Sequence, residues 1–206
     1  MFYKKDSYTG SLTSISLCTV AQVCESIGIN SPSADLTAFL SSAIDRVSKK
    51  FESYCQLPLK EQSFIGHYNG SGTNILYVNN FPITSVTSIK YRSNPLNSYS
   101  NAITVSGCSI YSNKIISYND TFPYGNLSIE IIYNAGYSTV PYDIEQIAIE
   151  ATEIILKESN IKSAKSQNTL GELSRQADAS LGFNTTFIDL NPRFKEVLDF
   201  YKKRRV

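Results

Sequence analysis

The sequence predicts an α+β protein: a helical core of long antiparallel helices, an antiparallel β segment inserted into it, and a C-terminal arm plus helix. Three observations carry this. Apolar residues recur at 3–4 spacing from Leu36 to Tyr54, the mark of an amphipathic helix. From Lys60 the period switches to two. After Pro141 it switches back, with Ile144, Ile147, Ala148, Ala151, Ile154 and Ile155 at i, i+3, i+4 and i+7 spacing. The 206 residues therefore divide into 1–59, an N-terminal arm and the first part of the helical core; 60–135, the inserted antiparallel β segment; and 136–206, the second part of the core, a polar arm and a basic C-terminal helix.

Taken in order, residues 1–16 are polar and Ser/Thr-rich, an extended arm with no packed core of its own. Thr19 and Gln22 form a capping-box pattern that opens a short helix with Val20, Val23, Cys24 and Ile27 on one side, closed by Gly28. Ser31-Pro32 restarts the chain as a cap and first-turn proline. Leu36, Phe39, Leu40, Ala43, Ile44, Val47, Phe51 and Tyr54 follow on one face, with Asp35, Asp45, Arg46, Lys49 and Glu52 opposite. Ser63–Tyr68 and Asn74–Val78 flank Asn69-Gly70-Ser71-Gly72 and predict a hairpin. Asn79-Asn80-Phe81-Pro82 turns the chain, and Val86–Tyr91, Ala102–Val105, Ser109–Tyr111, Ile115–Tyr118 and Leu127–Tyr133 complete the strands.

The stretch from Tyr133 through Ile144 joins the last strand to the second long helix. Gly136 allows the positive φ of a sharp exit, Pro141 suits a helix start, and Asp143 and Glu145 sit where the helix dipole favours anions. The helix through Ser159 carries a second, narrower apolar stripe, Ile149 and Leu156, flanked by Glu145 and Thr152. One reading embeds this helix wholly in its own domain; the other gives one face to the core and one to a neighbouring subunit. Beyond it, about thirty residues rich in Ser, Asn, Thr and Gln are either disordered or ordered by contact with something else. Asn191-Pro192 caps a last helix with Phe194, Val197, Leu198 and Tyr201 on one stripe. One core is expected to gather Leu36, Phe39, Ala43, Val47, Phe51, Ile144, Ile147, Ala151 and Ile154.

The apolar share of 42% and charged share of 18% are those of a globular protein. No apolar run approaches a membrane span, and the N-terminus lacks the apolar stretch of a signal peptide, so the expectation is a soluble protein made in a cytoplasm, with no membrane partner. Cys18, Cys24, Cys55 and Cys108 form no C-x-x-C pair and read as small buried thiols. The net charge is +1, unevenly spread: residues 193–206 hold six basic and two acidic side chains (+4), and the remainder carries −3. Attraction for nucleic acid is therefore expected only at the tail.

Chemistry is not encoded in any recognisable motif. G-x-S-x-G, Walker A, H-E-x-x-H and G-x-G-x-x-G are all missing, and Gly70-Ser71-Gly72 precedes neither a lysine nor a helix start. The single histidine, His67, alternates within a strand with no motif around it, and His, Cys and Asp do not cluster as metal ligands. The expectation is a non-enzymatic protein with no metal and no cofactor. Tyrosines at 68, 77, 91, 99, 111, 118, 124 and 133 either pack on pleated faces or line a contact surface.

Tyr133-Asn-Ala-Gly-Tyr137, then Val140-Pro-Tyr-Asp-Ile144 and an amphipathic helix, resembles the head–tail connector (adaptor, or head-completion) proteins of tailed bacteriophages. Asp35 to Leu57 resembles their first long helix, with its Tyr54-Cys55-Gln56-Leu57-Pro58 exit into a β segment. Leu170-Gly171-Glu172-Leu173-Ser174-Arg175, with Val197 to Arg204 much later, resembles their arm and closing basic helix. The order of these pieces is the stronger argument, and the β-rich stretch from Lys60 to Tyr133 matches only longer members. The resemblance implies a structural virion protein at the head–tail interface, assembled in the host bacterial cytoplasm. It implies a homo-oligomeric ring, twelve-fold like the portal above it, that binds the portal protein and a tail or stopper protein and continues the DNA channel. Ile149, Leu156, Leu170, Leu173 and Arg175 are the subunit-interface candidates. Tyr201, Lys202, Lys203, Arg204 and Arg205 are the candidates for contact with the portal or, non-specifically, with channel DNA. The alternative is a tyrosine-rich β module binding a protein or glycan partner without catalysis.

Overall fold

Helix formation begins at a reciprocal cap. The Thr19 hydroxyl accepts from the Gln22 backbone N–H at 3.2 Å while the Gln22 side chain accepts from the Thr19 N–H at 2.8 Å, starting α1 (Val20–Ser26). Ser33, two residues later than the sequence pattern places it, caps α2 (Ala34–Cys55) by accepting from Leu36 N–H, so Pro32 lies ahead of the cap. α3 spans Tyr142–Asn168, and α4 (Pro192–Tyr201) starts from Asn191, whose side chain accepts from Arg193 N–H with Pro192 at the first helical position. The computed structural model describes residues 15–94, 97–159 and 191–203 in full, and the backbone alone of 5–8 and 160–168.

The chain forms two compact units, Met1–Thr13 with Leu57–Val140 and Ser14–Gln56 with Pro141–Val206. The described residues make the fold mixed α and β with antiparallel sheets.

In the helical unit, α2 and α3 pack on each other, and α1 and α4 pack on both. Leu40, Ala43, Ile44, Val47, Phe51 and Cys55 of α2 are buried, as are Ile144, Ile147, Ala148, Ala151 and Ile155 of α3 and Phe194 and Leu198 of α4. Leu36, Phe39 and Ile154, expected in that core, are only half-buried. Buried Ser48 donates to the Ile44 carbonyl at 2.7 Å and accepts from Leu17 N–H at 3.0 Å, so its polar atom is satisfied and fixes the lead-in to α1 on α2. The helix after Pro141 continues well past Ser159, so the first nine residues of the expected arm, 160–168, are helical; 169–190 lie outside the described residues.

The β unit holds a five-stranded and a three-stranded antiparallel sheet. The first has the order β1 (Lys5–Tyr8), β2 (Gln62–Gly70), β8 (Gly125–Ala135), β4 (Ile83–Tyr91), β5 (Asn101–Ile103). The second has the order β3 (Ile75–Tyr77), β7 (Lys114–Ser117), β6 (Cys108–Ile110). Two sequence expectations change. Residues 5–8, read as part of a coreless arm, form an edge strand with Lys5 opposite His67 and Tyr8 opposite Phe64. The expected hairpin across Asn69–Gly72 does not form, because β2 and β3 belong to different sheets. β2 instead runs on to Gly70, opposite Gly125, where any Cβ would sit 1.6 Å from the Pro123 carbonyl oxygen. Alternation along β8 buries Ile129, Ile131, Tyr133 and Ala135 with Phe64, Tyr68, Ile89, Ile115 and Phe122 in one core. The exit after β8 needs its glycine: Gly136 has φ +110, and a Cβ there would meet the Lys60 carbonyl oxygen at 2.3 Å.

Candidate functional site

The C-terminal helix is short, and its position comes from contacts at both of its ends. Phe194 meets Phe51 edge-on with ring centroids 6.2 Å apart, and Arg193 reaches Glu150 of α3 at 3.0 Å. Near its far end, the Tyr201 hydroxyl donates to both carboxylate oxygens of Asp143, at 2.9 and 3.0 Å. Asp143 also accepts from Ile144 N–H, so one carboxylate serves the α3 N-terminus and the α4 C-terminus together.

The same end of α4 closes on the last turn of α2. Tyr54 donates to Asp199 at 2.7 Å, Lys202 lies over the Tyr54 ring at 4.3 Å, and Lys203 N–H donates to the Cys55 carbonyl at 2.8 Å. The C-termini of α2 and α4 thus converge where Lys202 and Lys203 sit, and the negative dipole ends favour those cations. Burial pushes the Cys55 thiol up from 9.0 to about 12; nearby Lys202 opposes that shift, and Asp199 and Glu52 add to it. Cys55 is a core thiol here, donating to the Leu198 carbonyl, rather than a nucleophile.

Of the residues singled out from sequence, Tyr201 and Lys203 are half-buried and Lys202 is exposed; all three gather at this end of α4. Arg204 and Arg205 lie outside the described residues. Two aromatics that sequence reasoning missed complete the surface. Phe200 is 77% exposed and Tyr142, at the start of α3, is 73% exposed. A signal for Phe200 was present: it falls off the 194, 197, 198, 201 stripe, so the helix must turn it outward. An exposed Phe and Tyr beside ammonium groups have the composition of a protein-docking tip.

The second apolar stripe of α3 has a partner within the protomer. Gln22 donates to Glu145 at 2.6 Å and Ser26 donates to Glu153, which lays α1 along the side of α3 bearing Ile149 and Thr152. Ile149 is 6% exposed, whereas Leu156, further along, stays half-exposed. Of this pair, only Leu156 has appreciable surface free in the protomer. Leu170, Leu173 and Arg175 lie outside the described residues.

In the β unit, the tyrosines divide between both readings. Tyr68 and Tyr133 are buried with their hydroxyls 3.1 Å apart, whereas Tyr77, Tyr111, Tyr118 and Tyr124 are exposed. His67 pairs with Glu130 at 3.2 Å and packs beside Tyr99, whose ring carries Arg92 at 4.7 Å. No group of three or more potential metal ligands converges among the described residues, and no described helix is long and apolar enough to cross a membrane.

The family model for head completion proteins matches residues 16–203. Solved structures share the fold. A chain from the neck of an empty GTA particle computed with C6 symmetry is 14% identical, with a TM-score of 0.58 over 98% of this chain and 97% of that one. A chain from the virion of a native gene transfer agent (GTA) particle gives 14% and 0.60, over 98% and 96%. A chain from the neck of a native GTA particle computed with C12 symmetry gives 14% and 0.56, over 98% and 97%. No curated protein is significantly similar to the chain in sequence.

Proposed function

The chain belongs to the head completion protein family, and on that premise we propose that it is a structural, non-enzymatic virion protein that docks at the junction of head and tail. The observation that carries the reading is the span of the family match, residues 16–203, which takes in both units rather than one borrowed module. The finer form is a ring of copies beneath a portal protein, handing the DNA channel on to a tail or stopper component, with the long helices as the ring-forming core and the β unit as its insertion. The C6 and C12 symmetries of the similar neck structures support a cyclic arrangement of this kind.

A ring needs heterologous contacts, one patch on each subunit meeting a different patch on the next. We assign one patch to Leu156, the exposed member of the Ile149–Leu156 pair, and the crossing contact to Leu170, Leu173 and Arg175. The portal-facing element is the end of α4: Phe200 and Tyr142 as apolar anchors, and Tyr201, Lys202, Lys203, Arg204 and Arg205 as the basic rim. Four cations on one subunit bind weakly, but around a ring they act together, so docking weakens with salt. Exposed Tyr77, Tyr111 and Tyr118 of the β unit supply a further protein-contact face, which also fits the reading of a tyrosine-rich binding module.

Deletion of residues 163–186 tests the ring. It should leave both units folded and abolish assembly onto portal-bearing heads. Normal virion yield from the deletion would remove the arm from the account.

A further inference from the structure

The charge sum of the chain hides a local concentration. Outside residues 193–206 the net charge is −3, yet α2 gathers Arg46, Lys49, Lys50 and Ser53 around one open groove of about 290 Å³. These four are mutual neighbours on a helix surface, spaced i, i+3, i+4 and i+7. Among the described residues, no carboxylate forms an ion pair with Arg46, Lys49 or Lys50. The adjacent acids do not fill that role: Asp45 accepts from Ser16 at 3.0 Å. Three uncompensated cations held within one to two helical turns repel one another, so their placement favours an anion in the groove.

The patch does not end at Ser53. Tyr54 lies one turn on from Lys50 and carries Lys202 over its ring at 4.3 Å, with Lys203 tied to the end of α2 through the Cys55 carbonyl. From Arg46 to Tyr54 the helix rises about 12 Å. A single free phosphate occupies only part of that length. A nucleic-acid strand, at about 3.4 Å of axial rise per phosphate, presents three or four phosphates over it. The donor set also fits phosphate oxygens: a guanidinium fork, two ammonium groups, and a hydroxyl at the lip.

We propose that Arg46, Lys49, Lys50 and Ser53, continued by Lys202 across Tyr54, form a track for the phosphate backbone of duplex DNA. The track reads no sequence, because each of its donors addresses phosphate rather than a base edge. It rests on the channel reading only for the source of the DNA.

The test is fluorescence anisotropy of a labelled duplex with the purified full-length protein over a salt series. The triple variant Arg46→Gln, Lys49→Gln, Lys50→Gln should bind more weakly on every duplex sequence and lower the slope of log affinity against log salt by about 3. Lys49→Gln alone, at a fully exposed position, should lower it by about 1, which keeps the test valid should the triple variant misfold. Unlabelled duplex should displace the probe better than polyglutamate of matched charge, and inorganic phosphate should act only as added salt does. Equal displacement by polyglutamate would reassign the groove to an acidic protein partner and overturn the proposal. An unchanged affinity and slope in the triple variant, or a parent that does not bind duplex DNA, would overturn it too. Neither result touches docking, since a variant that loses DNA affinity yet still joins portal-bearing heads separates the two claims.

Discussion

Replacing Phe194 with Ala is the sharpest perturbation of the docking end. Phe194 is fully buried and sits edge-on to Phe51. Truncating a buried Phe to Ala costs about 3–5 kcal/mol, of which the ring pair contributes about 0.5–1.5. What remains to hold α4 is modest: buried Leu198, the Asn191 cap at about 1 kcal/mol, the Tyr201–Asp143 bonds, and an Arg193–Glu150 pair whose arginine is 65% exposed and so contributes little. A ten-residue helix does not persist alone in water. The expected outcome is therefore local: α4 opens while the β unit keeps its sheets. Hydrogen exchange is the assay. Amides of residues 194–201 should lose most of their protection, and those of β2 and β8 should keep theirs. A loss below about 1 kcal/mol at the α4 amides would show that Phe194 does not anchor the helix.

Other consequences follow from the same packing. Ile147→Asp places an unpaired carboxylate at a position only 1% exposed, which costs several kcal/mol, and soluble, natively folded variant protein would contradict the assignment of that face to the core. Burial also pushes the Cys18 thiol up to about 12, with Glu145 adding to the shift and Thr152 opposing it. Cys18 and Cys55 thus stay protonated in the fold while their unfolded counterparts ionise near 9.0, so the unfolded state binds fewer protons and stability falls as pH rises from about 9 toward 12. Denaturation midpoints across that range should decline, and the double variant Cys18→Ala, Cys55→Ala should flatten the decline; an unchanged slope would show that these thiols are not the cause.

Much of the fold is legible in the residues because local and global preferences agree. The Thr19–Gln22 cap, the long stripe of α2, the Asn191-Pro192 start of α4 and the alternation along β8 each state one structure without reference to the rest of the chain. What was not legible depends on partners distant in sequence. Gly70 looks like a hairpin glycine until Pro123 and Ser128 are seen against it, which makes it the end of β2 instead. Residues 5–8 carry little strand signal, and only the open edge of β2 pairs them. Ile149 reads as surplus apolar surface until α1 is laid beside it. The docking end was half visible: the basic tail stands out in sequence, but Tyr142 and Phe200 come together only because Tyr201 and Asp143 bring the start of α3 to the end of α4. The α2 groove was obscured by counting its cations against acids bonded elsewhere.

The central claim is that copies of this chain close into a ring on a portal. Mass measurement of the purified protein, alone and mixed with a candidate portal protein, addresses it directly. The account predicts that the mixture yields one discrete complex with twelve copies of the chain per portal, the count that the C12 symmetry of the similar neck supports. A portal that leaves the chain unbound, or that takes it up in a spread of stoichiometries without a closed species, would contradict the claim.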